Sequence, residues 1–168
     1  MADRFPHITQ VLSFDAAPLL ADLLAKGKIQ PFKRRQNIGV DDVLPSQPAG
    51  LCACGCGVKI VAPRRKWASD SCPWFGYALQ GIILGDTKEI LKYLQRQRKR
   101  QGLPVWACWH CGTPTGKLEV DHIHAVALGG GGRWLDNYQL LCGCCHQKKT
   151  NNDRKLISAF KKETLKIN

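Results

Sequence analysis

Leu118–Asn152 has the sequence LEVDHIHAVALGGGGRWLDNYQLLCGCCHQKKTNN. It contains two short apolar runs, Leu118–Ile123 and Tyr138–Cys142, on either side of a loop with four consecutive glycines. Both runs have the length and composition of β-strands. The polar and basic residues after the second run indicate the start of a short exposed helix. The stretch therefore predicts a strand, a long loop, a second strand and a helix.

This unit carries side chains of the kinds that bind metal ions and transfer protons. Asp121 and His122 lie at the end of the first predicted strand, and Asn137 opens the second. His146 begins the predicted helix. In order, spacing and residue type these residues resemble the HNH nuclease family. That family has Asp-His on one strand, Asn before the next and His at a helix start.

The family also commonly carries two CxxC pairs around this core, as this chain does, and the resemblance covers Cys108–Asp153. It implies an α+β fold: a small ββα-metal HNH core clamped by a four-cysteine zinc site, preceded by a zinc-knuckle region and helices. One departure is Ala125, where the family often has proline. This change affects the loop conformation but removes no chemical group.

The resemblance implies a role for each of the four residues. Asp121 and His146 would ligate a catalytic divalent cation, Mg²⁺ or Mn²⁺, and His122 would be the general base. Asn137 would hold the loop that carries His122. The alternative is that Asp121 and His122 form a turn pair and that His146 binds zinc.

The roles of these four residues suit the chemistry of phosphodiester hydrolysis. The reaction needs an activated water and neutralisation of the charge that builds on the phosphate and the leaving oxygen. A cation held by one carboxylate and one imidazole keeps most coordination positions open for phosphate oxygens and water. An unperturbed histidine, with a pKa of about 6.5, is largely neutral at physiological pH and suits the base role. Adjacent strand residues point to opposite faces, so Asp121 and His122 would need a local break in the strand, which the glycine-rich loop favours.

Nine cysteines without a recognisable secretion signal indicate thiolate metal ligands rather than disulfides. Two pairs of x2 spacing, with 30 residues between them, predict a closed tetrahedral zinc site formed by Cys108, Cys111, Cys142 and Cys145. Cys144 could replace Cys142 as the fourth ligand, but the x2 spacing favours Cys142. The site would be structural, because it clamps a unit too small to bury a useful core alone.

A second cysteine group precedes the first pair, and its members are Cys52, Cys54, Cys56 and Cys72. It resembles the small zinc knuckle that precedes some HNH domains, with Ala68 in the place of one knuckle cysteine. Its x1 spacing is less usual than x2 to x4. The alternative is a set of free structural cysteines in a reducing cell. We therefore expect one or two structural Zn²⁺ ions per chain.

The net charge is strongly positive, with 25 Lys and Arg against 13 Asp and Glu, or +12. Residues 1–50 hold 6 basic and 5 acidic side chains, residues 51–117 hold 11 and 3, and residues 118–168 hold 8 and 5. The excess falls on the parts that hold the cysteines. It predicts a polyanionic partner, DNA, rather than charge that serves solubility alone.

Asp86–Gln101 is predicted to be a helix, with a capping-box pattern at Asp86 and Glu89 and a stop at Gly102. Its second half is densely cationic. We expect it to lie on the phosphate backbone and fix position without reading sequence; the alternative is a solvated face. The residues expected to contact nucleic acid are Arg96, Arg98, Lys99, Arg100, Lys148 and Lys149.

Two other helices are predicted. One covers Ser13–Ala25, with Ser13 or Asp15 as its cap and leucines as its apolar stripe. The other is a basic helix over Asn152–Asn168 whose inward residues would be Leu156, Ile157, Phe160 and Leu165. The predicted domains are an N-terminal helix and linker or arm (1–50), a zinc-knuckle region and basic helix (51–102) and an HNH nuclease domain (103–168).

These patterns predict a metal-dependent HNH endonuclease that hydrolyses phosphodiester bonds in DNA, in a restriction, phage or mobile-element context. One metal suits the cutting of one strand, so double-strand cleavage would need a homodimer or two encounters. The rival is a non-catalytic zinc-finger module that binds nucleic acid, which leaves the Asp, His, Asn and His pattern unexplained. No membrane segment is visible, and we expect a cytoplasmic location in a bacterial or phage-infected cell.

Overall fold

The computed structural model describes residues 15–30 and 38–167, and their side chains as far as residue 162. The chain divides into two units. The first holds the chain up to Tyr93 together with Arg133–Asp136, and the second holds Leu94–Gly132 and the chain from Asn137 onward. Among the described helices, none has the length and apolar character needed to cross a bilayer.

The described part of the first unit includes helix α1 (Ala17–Ala25) and the single turn α2 (Val40–Val43). The N-cap position is Ala16 rather than the predicted Asp15, but the Oδ1 of Asp15 accepts a hydrogen bond of 2.9 Å from the N–H of Ala17 in the first turn. Leu23, in the predicted apolar stripe of α1, is only 2% exposed. The alternative cap, Ser13, and the basic residues 33–35 of the predicted arm lie outside the described residues.

Helix α3 (Cys72–Leu84) was not predicted from the sequence. Its sequence, CPWFGYALQGIIL, places apolar residues on most sides of the helix and includes two glycines. The segment therefore shows neither a clear amphipathic period nor a strong helix propensity. Proline at its start suits a first helical turn. Burial on several sides stabilises it, with Phe75, Leu79 and Ile82 all 5% exposed or less.

Helix α4 (Thr87–Arg100) confirms the predicted basic helix to within one residue at each end. The Oδ1 of Asp86 accepts a hydrogen bond of 2.9 Å from the N–H of Lys88 and caps the first turn. Glu89 pairs with the ammonium group of Lys92. Gly102, at φ +70°, ends the helix in the left-handed region that glycine adopts without strain.

Strands β1 (Glu119–His122) and β2 (Tyr138–Leu141) form the two-stranded antiparallel sheet of the second unit. The pairing sets Asp121 opposite Gln139 and His122 opposite Tyr138. Both strands confirm the predicted runs to within a residue at each end. Together with the helices they confirm the predicted α+β fold.

Helix α5 (Gly143–Ile167) follows β2 directly and is one continuous helix, not the two segments predicted. The prediction that Leu156 and Phe160 face inward is wrong, since they are 57% and 54% exposed. A helix of this length extends roughly 37 Å, whereas a four-residue strand spans roughly 13 Å. The C-terminal half of α5 therefore runs beyond the sheet that its first turns cover. The predicted inward position of Leu165 lies outside the described side chains.

Candidate active site and zinc centres

The centre of the candidate active site is a carboxylate and an imidazole from different elements. Asp121 extends from β1, and His146 lies in the first turn of α5, where its N–H binds the carbonyl of Cys142 at 2.9 Å. The Nε2 atom of His146 lies 3.8 Å from Oδ1 of Asp121. The Asp121 side chain is 18% exposed and that of His146 34% exposed, so solvent and a ligand can reach both.

A second carboxylate, which the sequence analysis missed, orients His146. The Nδ1–H of His146 donates a hydrogen bond to Oε2 of Glu119. This bond leaves Nε2 as the nitrogen that faces Asp121, and outer carboxylates commonly fix metal-binding imidazoles in this way. The sequence did contain a signal: Glu119 stands two residues before Asp121, and strand residues two apart share a face.

The Asp121 carboxylate has two further neighbours. Its Oδ2 lies 3.3 Å from the Nζ of Lys149 and accepts a hydrogen bond of 3.3 Å from the Nε2 of Gln139. Lys149 also pairs with Asp153, one helical turn later. Burial opposes the charge on Lys149, but Asp153 and Asp121 together raise its pKa. Lys149 therefore balances the negative charge of Asp121.

His122 lies on the other face of β1. The strand pairs without interruption through His122, and the break expected between Asp121 and His122 comes one residue later, at Ile123. The reason is the cross-strand partner: the rings of His122 and Tyr138 are 4.6 Å apart between centroids. The Nε2 of His122 lies 3.4 Å from the carbonyl oxygen of Gly132. Within the described residues, no hydrogen bond or ion pair joins His122 to Asp121 or His146.

Asn137 bridges the two ends of the glycine-rich loop. Its Oδ1 accepts a hydrogen bond of 2.8 Å from the N–H of His124, and its Nδ2 donates to the carbonyls of His124 and Gly131 at 3.0 and 3.1 Å. Asn137 is 5% exposed, so these bonds are shielded from water. The loop ends also approach closely at Gly130, where a Cβ would stand 2.2 Å from the carbonyl oxygen of His124. A side chain at Gly130 would force the loop apart.

The cysteines of the two CxxC pairs converge into one cluster in the second unit. The Sγ atoms of Cys108, Cys111, Cys142 and Cys145 all lie within 4.8 Å of one another. Two sulfurs on one tetrahedral zinc are about 3.8 Å apart, given bonds of about 2.3 Å. Cys111 and Cys142 are separated by 3.9 Å. Cys144 is exposed and outside the cluster, in agreement with the choice of Cys142.

The second cluster, in the first unit, comprises Cys52, Cys54, Cys56 and Cys72, again within 4.8 Å. Ala68, which replaces a knuckle cysteine, contributes its backbone instead: its N–H donates to the Sγ of Cys52 at 3.2 Å. The hydroxyl of Ser69 lies 3.1 Å from the Sγ of Cys72. Both clusters have the donor set and separations of a zinc site with four cysteine ligands.

Zinc is bound by thiolates, and in each cluster the pKa of one thiol is strongly lowered, whereas burial and hydrogen bonds between the thiols raise the pKa of Cys52, Cys54 and Cys145. A hydrogen bond from the Cys54 thiol lowers the pKa of Cys72 to about 4. At Cys108 burial opposes ionisation, but backbone N–H groups, including those of Cys111 and His110, lower the pKa to about 6. Each cluster therefore holds a thiol that ionises readily at neutral pH.

We expect purified protein to contain two zinc ions per chain, because each cluster offers four sulfurs at zinc-binding separations. Elemental analysis of the purified full chain measures this number. The Cys144→Ser variant should also contain two, since Cys144 lies outside both clusters. A value of one would show that one of the two clusters does not bind zinc, and a value of zero would contradict both sites.

The cationic residues predicted to bind nucleic acid differ in their surroundings. The guanidinium of Arg98 lies over the ring of Trp109, 5.3 Å from its centroid, within the second unit. Trp109 belongs to the first CxxC pair, so this contact joins the basic end of α4 to the zinc cluster. Lys99 and Arg100 are exposed and Arg96 is half-buried, while Lys148 is exposed on α5.

Comparison with known proteins supports the family suggested by the site. Residues 108–152 match the family model for HNH endonucleases. The DNA annealing helicase and endonuclease ZRANB3 of Bos taurus is 42% identical over 50 residues. This segment is 30% of the chain but 5% of the relative, so the chain spans a small part of that protein. No solved structure matches the chain significantly.

Proposed function

We propose that this chain, which carries an HNH endonuclease domain at residues 108–152, is a metal-dependent endonuclease that hydrolyses phosphodiester bonds in DNA. The observation that carries the proposal is the convergence of Asp121 and His146 to 3.8 Å inside that domain. A purely structural zinc finger needs only its cysteines. Such a zinc finger does not require a carboxylate and an oriented imidazole that face each other near the zinc cluster.

The pair of Asp121 and His146 fits a hard divalent cation, Mg²⁺ or Mn²⁺. An octahedral ion with ligand bonds of about 2.1 Å holds adjacent ligand atoms about 3.0 Å apart, so the two atoms, which are 3.8 Å apart here, would approach each other by about 0.8 Å around it. Glu119 directs the Nε2 of His146 towards Asp121, which is the nitrogen such an ion would need. When bound, the cation would offset negative charge on the phosphate and leave positions for water and phosphate oxygens.

His122 is proposed as the general base that takes a proton from the attacking water. Because its side chain leaves β1 on the face opposite Asp121, the water and the phosphate would have to lie at the end of β1, where the regular pairing stops after His122. Donation of its Nε2–H to the carbonyl of Gly132 leaves the lone pair of Nδ1 available to accept that proton. The ring also packs against Tyr138, at 4.6 Å between ring centroids. Asn137 keeps the surrounding loop closed through its three hydrogen bonds. These contacts support a positioned base rather than a freely rotating surface histidine.

The basic residues are proposed to bind the DNA backbone. Phosphate contacts require positive charge at the surface, and three of these side chains are exposed: Lys99, Arg100 and Lys148. Arg98 is proposed to act less directly, because it stacks on Trp109 and holds the basic end of α4 to the zinc cluster. Zinc binding would then also position the DNA-binding helix. Lys149 is largely engaged by Asp121 and Asp153.

Nicking of supercoiled plasmid tests the proposed function. We expect the zinc-loaded chain to convert supercoiled to open circular DNA when Mg²⁺ or Mn²⁺ is added, and not without added metal. Omitting the metal is a better control than chelation, which would also remove zinc. Asp121→Asn keeps the size of the side chain but removes its charge, so nicking should fall at least about 100-fold through loss of the cation.

The same assay distinguishes an endonuclease from the rival function, a non-catalytic module that binds nucleic acid. A chain that binds plasmid but leaves it supercoiled with either metal would be a zinc-stabilised nucleic-acid-binding module and not an endonuclease. Linear product formed at early times would indicate double-strand cleavage by a homodimer, whereas open circles alone would indicate one strand cut per encounter. Mapping the ends on a long defined DNA would separate site-specific cleavage, as in restriction, from scattered nicking.

A further inference from the structure

A cavity of about 170 Å³ lies in the second unit, between β2 and α5. Its floor is apolar and consists of Leu141 and Cys145, both buried. Its other lining residues can all donate hydrogen bonds: His110, Gln139, Lys148, Lys149 and Asn152. None of these described lining residues is acidic. The composition of the cavity therefore favours an anion.

The cavity adjoins the candidate active site through two shared residues. Gln139 and Lys149 line the cavity, and each also contacts Oδ2 of Asp121 at 3.3 Å. An anion held in the cavity would therefore lie next to a phosphate bound at Asp121. Consecutive phosphates of one nucleic-acid strand are neighbours in the same way.

Three of the lining donors have no partner within the described part of the chain. Among the described residues, neither the ring of His110, the ammonium group of Lys148 nor the side-chain amide of Asn152 forms a hydrogen bond or ion pair. Lys149, in contrast, is paired with Asp121 and Asp153. Lys148 therefore supplies the uncompensated positive charge of the cavity. The amide and the ring add neutral donors around it.

We propose that this cavity binds one backbone phosphodiester of the DNA strand, next to the phosphodiester that is cut. Lys148 would provide the charge, and Asn152 and His110 would donate hydrogen bonds to the phosphate oxygens. A phosphate only accepts hydrogen bonds, which suits a cavity whose polar lining groups are donors. This inference rests on the proposed function and assigns a second contact to the same strand.

Binding of the full chain to a duplex of fixed sequence, without added Mg²⁺ so that the DNA stays intact, tests the inference. Lys148→Ala should weaken binding about tenfold and lower the slope of log K against log salt by about 0.9, the value for one lost phosphate contact. Asn152→Ala should weaken binding severalfold with an unchanged slope, because it removes a neutral donor. The double variant should lose less than the two single losses combined, since both contact one phosphate.

Lys161→Ala is the matched control. It removes the same charge from the same helix, but 13 residues further along and on the opposite side, at about 100° per residue. Zinc content checks that each variant is folded. If the parent nicks plasmid and Lys148→Ala has the affinity and salt slope of Lys161→Ala, the cavity is not a phosphate site although the function stands. If the parent neither binds nor nicks DNA, the proposed function and this inference both fail.

Discussion

Replacing His122 by alanine is expected to slow DNA cleavage by about 10² to 10⁴-fold, the usual contribution of a positioned general base. Zinc content and DNA binding should stay near those of the parent, because His122 has no contact with either cysteine cluster in the described part of the chain. The catalytic cation should still bind, since Asp121 and His146 remain. The loss should therefore appear in the single-turnover nicking rate and not in affinity.

His146→Ala should also abolish cleavage, but for a different reason. It removes one of the two proposed cation ligands and leaves Glu119 without its imidazole partner. The cation site is then weaker rather than absent, so raised Mg²⁺ or Mn²⁺ should recover part of the nicking rate. A metal titration of both variants separates the two roles. Recovery of His122→Ala by excess metal would show that the base and the ligand have been exchanged in our assignment.

His124→Ala provides a nearby control for the loss of an imidazole. Asn137 binds the backbone of His124 and not its ring, and the residue is exposed. The variant should therefore cleave DNA at a rate close to that of the parent. A loss as large as that of His122→Ala would instead place the ring of His124 on the reacting phosphate.

Cys108→Ser or Cys145→Ser is expected to unfold the catalytic unit. Both cysteines are buried and belong to one apolar cluster with Leu141, packed against Cys142, so the zinc ligands are themselves part of the core. Zinc binding contributes about 10–16 kcal/mol in small zinc domains, which exceeds the stability of most small domains. Loss of near-ultraviolet circular dichroism, faster proteolysis after residue 94 and loss of one zinc would together measure this effect.

Cys144→Ser is the matched control for the cysteine variants. Cys144 is exposed, lies beside Cys145 in the chain and stands outside the cluster. The substitution should leave zinc content, proteolysis and nicking unchanged. If Cys108→Ser also leaves the unit folded with its zinc bound, the cluster is not the structural clamp that its geometry indicates.

The order of elements in the second unit was predictable because the signals are local. Two apolar runs on either side of a glycine-rich loop specify strands, and x2 cysteine spacing brings two sulfurs to one side of a turn. The strands, the basic helix α4 and the two CxxC pairs follow from such short-range constraints. Asp121 and His146 were singled out as candidates because their order and spacing resemble the pattern of the HNH nuclease family.

The remaining features depend on contacts between residues far apart in the chain, which local patterns do not contain. Helix α3 is stabilised by burial on several sides rather than by an amphipathic period. Glu119 meets His146 across 27 positions, and the guanidinium of Arg98 meets the ring of Trp109 from a different element. Likewise the exposure of Leu156 and Phe160 follows from the length of α5 relative to the short sheet. The sequence alone singled out the candidate residues for the proposed chemistry, and the tertiary structure decided which partners orient, neutralise and shield them.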